Sequence, residues 1–385
     1  MIHDTYLGLP IEFWFSGPLG LPFHLWTLEL TLMGLLVGSF LNVVIYRMPL
    51  GKSVVRPPSH CPNCEYRIPI WLNLPIISWI QLRGRCAQCH APISPRYLVV
   101  EAITGAAFLM TWLAWGHVHP GQAGALCVLW AGLIAATWID LEHYIIPDEI
   151  TLGGVGAGFI LSALAPALQG VETAVLAMRR SGIGAVVGAL VVYAVLRFGK
   201  LLFGRLKIAL EPGSRVVFHE TGVLLPEGNV PYEEIFYRPS DAVVCHGERV
   251  ELSTRSYANQ PVRLELLRNP PRLRIGNETM NAEEEPWMAV VTKQITVPRE
   301  AMGMGDVKLM AGIGAFLGWQ ATVFSLLGSA LLGSVVGLGL IAIGRRDWQS
   351  RLPYGPFIAV AAVIWQLAGH SLTHWWIYDL MKIQE

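Results

Sequence analysis

Eight apolar windows, of a length suited to crossing a hydrocarbon layer of about 30 Å, recur along this chain. They run near Leu25–Tyr46, Tyr97–Trp115, Ala123–Ile139, Ile150–Leu168, Ile183–Phe203, Val307–Leu326, Leu327–Gly344 and Phe357–Leu372. In lipid no water satisfies the backbone, so each window has to close its own hydrogen bonds as a helix. The expected fold class is an all-α polytopic membrane protein with about eight transmembrane helices. A composition of 53% hydrophobic and 15% charged residues supports that class over a water-soluble one. The boundaries near Leu326 and Gly344 are the least marked.

The placement of Lys and Arg sets the expected orientation, because positive loops stay cytoplasmic. None precedes Arg47, whereas Arg47, Lys52, Arg56, Arg67, Arg83, Arg85 and Arg96 crowd the next loop. The N-terminus is therefore expected outside and that loop inside. Counting forward puts the Asp140–Glu149 turn, the segment after Arg197 and the Arg345-Arg346…Arg351 loop inside as well. Arg179 and Arg180 break the pattern by falling on the outer side. The first 24 residues lack a basic region, which argues against a cleaved signal peptide. A net charge of zero gives nucleic acid no footprint.

Two polar segments interrupt the membrane pattern. Residues 1–47 are expected to hold an outer N-terminus and the first helix, 48–96 a cytoplasmic loop, and 97–204 helices two to five. Residues 205–300 carry 12 Lys or Arg and 14 Asp or Glu, the mark of a separate cytoplasmic module, and 301–385 hold the last helices. Within the module, the runs Arg215–His219, Ala242–Cys245, Arg249–Leu252, Val262–Leu267 and Met288–Thr292 collect β-formers between Pro, Gly and Asn. That pattern predicts a small, mainly β insertion.

Four of the six cysteines form Cys61-Pro-Asn-Cys64 and Cys86-Ala-Gln-Cys89, with 21 residues between the pairs. Two such knuckles supply four soft thiolates, the donor set of a closed tetrahedral zinc site, so a structural metal is expected. A reducing cytoplasmic face disfavours disulfides between them. His60 and His90 read as solvated neighbours, Cys127 as a packing residue within a span, and Cys245 as a free thiol.

Two acids stand where apolar windows meet the cytoplasmic side. Asp306 lies in Gly303-Met304-Gly305-Asp306-Val307-Lys308. A carboxylate at the edge of a membrane segment is costly unless a partner, water or a reaction accounts for it. Gly303 and Gly305 let another main chain lie close; the plainer role for Asp306 is a solvated helix cap. Asp140 ends the third window, ahead of Glu142, His143 and Asp148, with no Lys or Arg in that stretch. Two carboxylates at one depth can converge on a single water. Their repulsion keeps one protonated, which gives the acid and the base needed to add water to a peptide carbonyl. Glu142 and His143 read as headgroup-level side chains. Asp148 reads as the N-cap of the next helix or as a supporting acid, and Lys308 as a snorkelling or dyad-tuning cation.

These residues also stand in a recognisable series. Gly38-Ser39-Phe40-Leu41-Asn42 through Arg47-Met48-Pro49, the two knuckles, Pro75-Ile76-Ile77-Ser78-Trp79, Leu82-Arg83-Gly84-Arg85-Cys86 and Arg96-Tyr97 with Glu101 come first. Ile139-Asp140 with Pro147-Asp148, Gly303-x-Gly305-Asp306 and Tyr354-Gly355-Pro356-Phe357 follow. The set resembles the type IV prepilin peptidases, the leader peptidases and N-methyltransferases of pili and type II secretion. The resemblance runs from about Leu32 to Leu372 apart from 205–300, an insertion that the family usually lacks.

The resemblance implies a bacterial inner-membrane aspartic endopeptidase that removes the leader of prepilin or pseudopilin precursors at the cytoplasmic face. It then implies methylation of the new N-terminus with S-adenosylmethionine. Asp140 and Asp306 would be catalytic, supported by Gly303, Gly305, Asp148 and Lys308, with zinc on Cys61, Cys64, Cys86 and Cys89. Partners would be the precursors, the bilayer and the pilus or secretion assembly machinery. No Rossmann-type glycine fingerprint marks a donor site, and the segment from Arg47 to Arg96 is the candidate region. The alternatives are a presenilin-type intramembrane aspartic protease, which shares the Gly-x-Gly-Asp segment, and a zinc-dependent transporter or assembly scaffold. The cysteine loop and the Gly38–Pro49 segment speak against the first.

Overall fold

The computed structural model describes residues 5–6, 9–10, 17–226, 228–232, 235–236, 241–298, 303–344 and 352–374. Arg345, Arg346 and Arg351, which the orientation count used, lie outside the described residues. Among the described residues, seven helices make up the apolar part: α1 (Phe23–Arg47), α2 (Arg96–Trp115), α3 (Pro120–His143), α4 (Asp148–Leu164), α5 (Ala174–Phe203), α6 (Met304–Ala342) and α7 (Gly355–His374). Five of them, α1, α2, α3, α5 and α6, are long and apolar enough to cross a bilayer, against the eight spans expected from the apolar windows. The α4 window folds as 17 helical residues, and α7 is the shorter apolar helix.

The windows Val307–Leu326 and Leu327–Gly344 do not part at Leu326. They belong to the single 39-residue α6, whose one break is at Gly318 with φ 82° and ψ 174°. That φ lies where a Cβ would clash with the backbone, so glycine is the residue that fits. A break frees the last carbonyls of the turn before it. The side chain of Gln169 meets them, its Nε2 donating to the carbonyl oxygens of Ala315 and Phe316 at 2.9 and 3.1 Å, while Ser162 Oγ donates to Ala315 at 3.4 Å.

The first half of α6 is the most enclosed helix, with Leu309 to Phe316 all buried. Small residues let its neighbours come that close. A Cβ on Gly184 of α5 would lie 2.1 Å from the Gly314 carbonyl oxygen, and one on Gly188 would lie 2.4 Å from that of Met310. On the α4 side, Gly158 sits directly against Ala315 and Phe316. Without a hydrophobic drive between helices in lipid, backbone contact of this kind supplies the packing. Around α1, α2 and α3 the core is Leu41, Val44, Ile45, Val100, Ile134 and Ile139. Phe23 stacks on Trp112 at 5.4 Å between centroids to close the other end. Leu25, Leu28, Leu32 and Leu36 of α1 remain exposed, a stripe that water would not tolerate and lipid would cover.

Residues 194–302 form a second compact unit. Its strands are β1 (Arg205–Ala209), β2 (Arg215–His219), β3 (Gly222–Leu225), β4 (Gly228–Pro231), β5 (Val243–Leu252), β6 (Ser256–Glu265), β7 (Arg272–Ile275), β8 (Glu278–Asn281), β9 (Trp287–Val291) and β10 (Gln294–Pro298). They form one antiparallel sheet in the order β8-β7-β6-β5-β9-β2-β3-β4, with β10 pairing β1 and β5. Val216, Phe218, Val250, Val262, Val290 and Ile295 fill its core. The β-sheet insertion is therefore present, with one difference in detail. Ala242–Cys245 and Arg249–Leu252 are not two strands, because pairing with β6 continues between them through His246↔Pro261 and Gly247↔Gln260. Cys245 is a free thiol, as expected, and lies buried in the sheet core, where burial pushes it up to about 12.

Candidate functional site

The two cysteine knuckles are built alike. The Cys61 N–H donates to the Tyr66 carbonyl and the Cys86 N–H to that of Ala91, both at 2.9 Å. The Glu65 N–H returns to Cys61 and that of His90 to Cys86, through left-handed Glu65 and His90, both at φ 58°. These loops turn four sulfur atoms towards one point, all within 4.8 Å of one another. Cys61 Sγ lies 3.8 Å from Cys89 Sγ, and Cys64 Sγ 3.9 Å from Cys86 Sγ. A sulfur tetrahedron around one zinc, with bonds of about 2.3 Å, has edges of about 3.8 Å, so the donor set fits that ion. The Ala91 N–H and the Asn63 amide lower Cys89 to about 6, whereas burial and the other three sulfurs raise Cys64 to about 12. His60 Nδ1 donates to the Pro58 carbonyl at 2.9 Å and takes no part in the cluster.

This loop is tied to the helices by an acid that residue-level reading passed over except as part of a motif. Glu101 is the one charged residue of the α2 window, and it is buried. Its Oε2 accepts from the Ile76 N–H at 2.7 Å, at the start of the short helix Ile77–Gln81. The membrane-edge argument applied to Asp306 would have found it, since the same desolvation cost falls on any acid inside an apolar window. Beside it, Asn42 Nδ2 donates to the Tyr97 carbonyl at 3.1 Å.

Asp140 and Glu142 crowd the end of α3, where the negative end of the helix dipole disfavours them, and Asp148 opens α4. The structure sorts them by partner. Arg96 donates to Glu142 at 2.6 Å, so Glu142 is an ion-paired residue rather than merely a solvated one. Lys308 Nζ donates to both oxygens of Asp148 at 2.6 and 2.8 Å. Asp148 therefore does not cap α4. Pro147 occupies the N-cap, and the Asp148 carboxylate is drawn outward to the lysine. Lys308 in turn pairs across to α4 rather than snorkelling alone.

Asp140 is left with a main-chain partner. Its Oδ2 accepts from the Gly355 N–H at 2.7 Å, and a Cβ on Gly355 would lie 2.9 Å from that oxygen. Asp306 Oδ2 accepts from the Gly303 N–H at 3.1 Å across the first turn of α6. Asp306 is thus a cap, as its plainer reading had it, but a buried one: Asp140 is 6% exposed and Asp306 7%. The two carboxylates feel each other's charge, and Tyr354, next to Gly355, feels that of Asp306 while sharing a 2.9 Å hydrogen bond with Ser329. Neither aspartate has an ion-pair partner among the described residues. Gly305 is turned inward, where a Cβ would come within 3.1 Å of Ile146 Cβ, so its missing side chain admits the α3–α4 turn. Gly303 stays exposed beside Asp306.

Comparison with known proteins bears on this arrangement. Residues 32–115 match the Bacterial Peptidase A24 N-terminal domain. Residues 127–210 and 286–338 match the Type IV leader peptidase family, with 211–285 left unmatched between them. The Prepilin leader peptidase/N-methyltransferase of Stutzerimonas stutzeri is 27% identical over 94% of this chain and 96% of its own. The protein of the same description from Aeromonas hydrophila is 28% identical over 94% of this chain and 97% of its own. The Type 4 prepilin-like proteins leader peptide-processing enzyme of Escherichia coli O78:H11 is 43% identical over 34% of this chain and 54% of its own. No solved structure matches the chain.

Proposed function

Because this chain belongs to the type IV leader peptidase family, we propose that it is a membrane aspartic endopeptidase whose dyad is Asp140 and Asp306. The pairing pattern carries this reading. Arg96 and Lys308 neutralise Glu142 and Asp148, whereas among the described residues the two buried aspartates meet only main-chain donors and each other's field.

The substrate is a prepilin or pseudopilin precursor, whose basic leader meets an apolar helix at the cytoplasmic membrane face. The dyad shares one proton. Its ionised member takes a proton from water, and the oxygen adds to the scissile carbonyl carbon while the protonated member donates to the carbonyl oxygen. The intermediate collapses as one of its hydroxyls returns a proton to the second aspartate, the C–N bond breaks, and the departing amine takes up the proton that the first aspartate had received. Gly355 and Gly303 hold one oxygen of each acid, leaving the other two for water and substrate. Exposed Gly303 leaves room for an extended chain, and the Asp148–Lys308 pair fixes the start of α6 against α4. Adding a methyl group at Gly355 tests this positioning. Gly355→Ala should lower the cleavage rate roughly 100-fold through displacement of Asp140 while the protein still folds; a wild-type rate contradicts it.

The four thiolates would hold one structural zinc, which ties the two knuckles together and gives residues 48–96 a fixed shape. The chain purified without chelator should carry about one zinc per molecule. Cys61→Ser or Cys86→Ser should lose most of it, as read by elemental analysis; a zinc content well under one in the unaltered chain speaks against the site.

Methyl transfer to the new amine belongs to the same proposal through the family, with S-adenosylmethionine supplying an electrophilic methyl group when bound. The segment from Arg47 to Arg96 is the candidate region for that donor, and Asn42 Oδ1 and Arg96 Nε, buried without partners among the described residues, are free to bind it. In the inner membrane, α6 counts as two segments divided at Gly318, which with the other six helices gives eight. The N-terminus then lies in the periplasm and the dyad on the cytoplasmic face. Residues 1–47, 48–96, 97–204, 205–300 and 301–385 are the corresponding divisions. The 205–300 module is an accessory domain suited to contact with precursors or assembly machinery.

A further inference from the structure

We propose that the cavity between Arg179, Arg180 and the Gly318 break of α6 binds a phosphate-bearing anion, supplied by a membrane phospholipid headgroup. The cavity has a volume of about 400 Å³, and Gln169, Trp319 and Gln320 complete its polar wall. It lies at the far end of α4 from Asp148, one helix of 17 residues away, and so is separate from the aspartates.

Several independent features give it an affinity for negative charge. Two adjacent guanidinium groups project from α5 with no ion-pair partner among the described residues. Arg180 spends one N–H on the Gln169 carbonyl at 2.9 Å, and its remaining donors stay available. Arg179 makes no hydrogen bond among the described residues. Two unneutralised cations on a membrane helix call for a counter-charge. The carbonyl oxygens of Ala315 and Phe316, which would repel an anion at the break, are already covered by Gln169 Nε2. Beyond Gly318 a new helical run starts at Trp319 on the cavity wall, adding its positive end to the two arginines.

The surroundings favour lipid over free phosphate as the source. Leu176 and Ile183 line the cavity and are 40% and 44% exposed, and Leu190, a further two turns along the same face of α5, is 60% exposed. An acyl chain can follow that stripe while its phosphate meets the arginines. Trp319, 48% exposed, has the amphipathic ring preferred at headgroup depth. A bound anionic lipid also accounts for the one arginine pair that departs from the positive-inside pattern.

The test uses the full chain in detergent, titrated separately with phosphatidylglycerol, phosphatidylcholine and inorganic phosphate, with bound ligand counted by native mass spectrometry. Wild type should retain phosphatidylglycerol roughly tenfold more strongly than Arg179→Gln/Arg180→Gln, with no difference for phosphatidylcholine. Arg179→Gln alone leaves the Arg180–Gln169 bond intact, so it should fold and still lose roughly threefold. Equal retention of phosphatidylglycerol by wild type and the folded single variant overturns the site. Inorganic phosphate binding that depends on the arginines, without any preference for phosphatidylglycerol, overturns the lipid as its source.

Discussion

Asp140→Asn and Asp306→Asn are each expected to abolish precursor cleavage, with a fall of roughly 10³ to 10⁴-fold. Asn keeps the size of the side chain and can still accept from the Gly355 or Gly303 N–H, so each variant should insert and fold normally. What it removes is the shared proton, and because the two acids act as a unit, either loss should be nearly as severe as both. Glu142→Gln serves as the contrast. It breaks a partly exposed ion pair with Arg96, an interaction worth about 1 kcal/mol or less, and should leave cleavage within a few-fold of wild type. The measurement is an in-membrane assay on a prepilin-like precursor, with thermal unfolding of each variant alongside. Full cleavage by either aspartate variant would falsify the dyad.

The second large effect is on the fold. Gly184→Val should destabilise the helical unit by at least about 3 kcal/mol, the upper range for overpacking, and lower the yield of folded protein. The reason is geometric: the new Cβ would sit 2.1 Å from the carbonyl oxygen of Gly314, a backbone atom that no rotamer change can move aside. Because α6 carries Asp306, any residual folded protein should also cleave poorly. Gly156→Ala is the matched control, since a Cβ there meets nothing within 4 Å. It should be neutral or stabilising by about 0.5 to 1 kcal/mol, as expected for glycine removal from a helix. An unchanged unfolding transition for Gly184→Val would show that α5 and α6 are not seated backbone to backbone.

Much of the fold was legible because its signals are local. The apolar windows marked the helices, and the strand Arg215–His219 was found with its limits correct because β-formers stand between turn residues. The cysteine knuckles announced a donor cluster by spacing alone. Other features depend on partners distant in the chain. Gly318 looks like any glycine in an apolar run, and the break occurs there because Gln169 and Ser162 stand ready to take the freed carbonyls. The Gly184-x-x-x-Gly188 spacing was present in the sequence as a small-residue seam, but nothing local says that Gly314 is its counterpart.

The acids show the division most clearly. Sequence by itself determined that Asp140, Glu142, Asp148 and Asp306 stand at membrane edges, where a carboxylate needs an explanation, since hydropathy and desolvation are read residue by residue. It could not rank them, because their partners, Arg96, Lys308, Gly355 and Gly303, lie from 3 to 215 positions away. Only the tertiary structure decided which acids are neutralised by a cation and which two remain buried within each other's field. Electrostatic pairing depends on distance in space, and the helix packing that sets those distances rests on contacts between segments that no local pattern specifies.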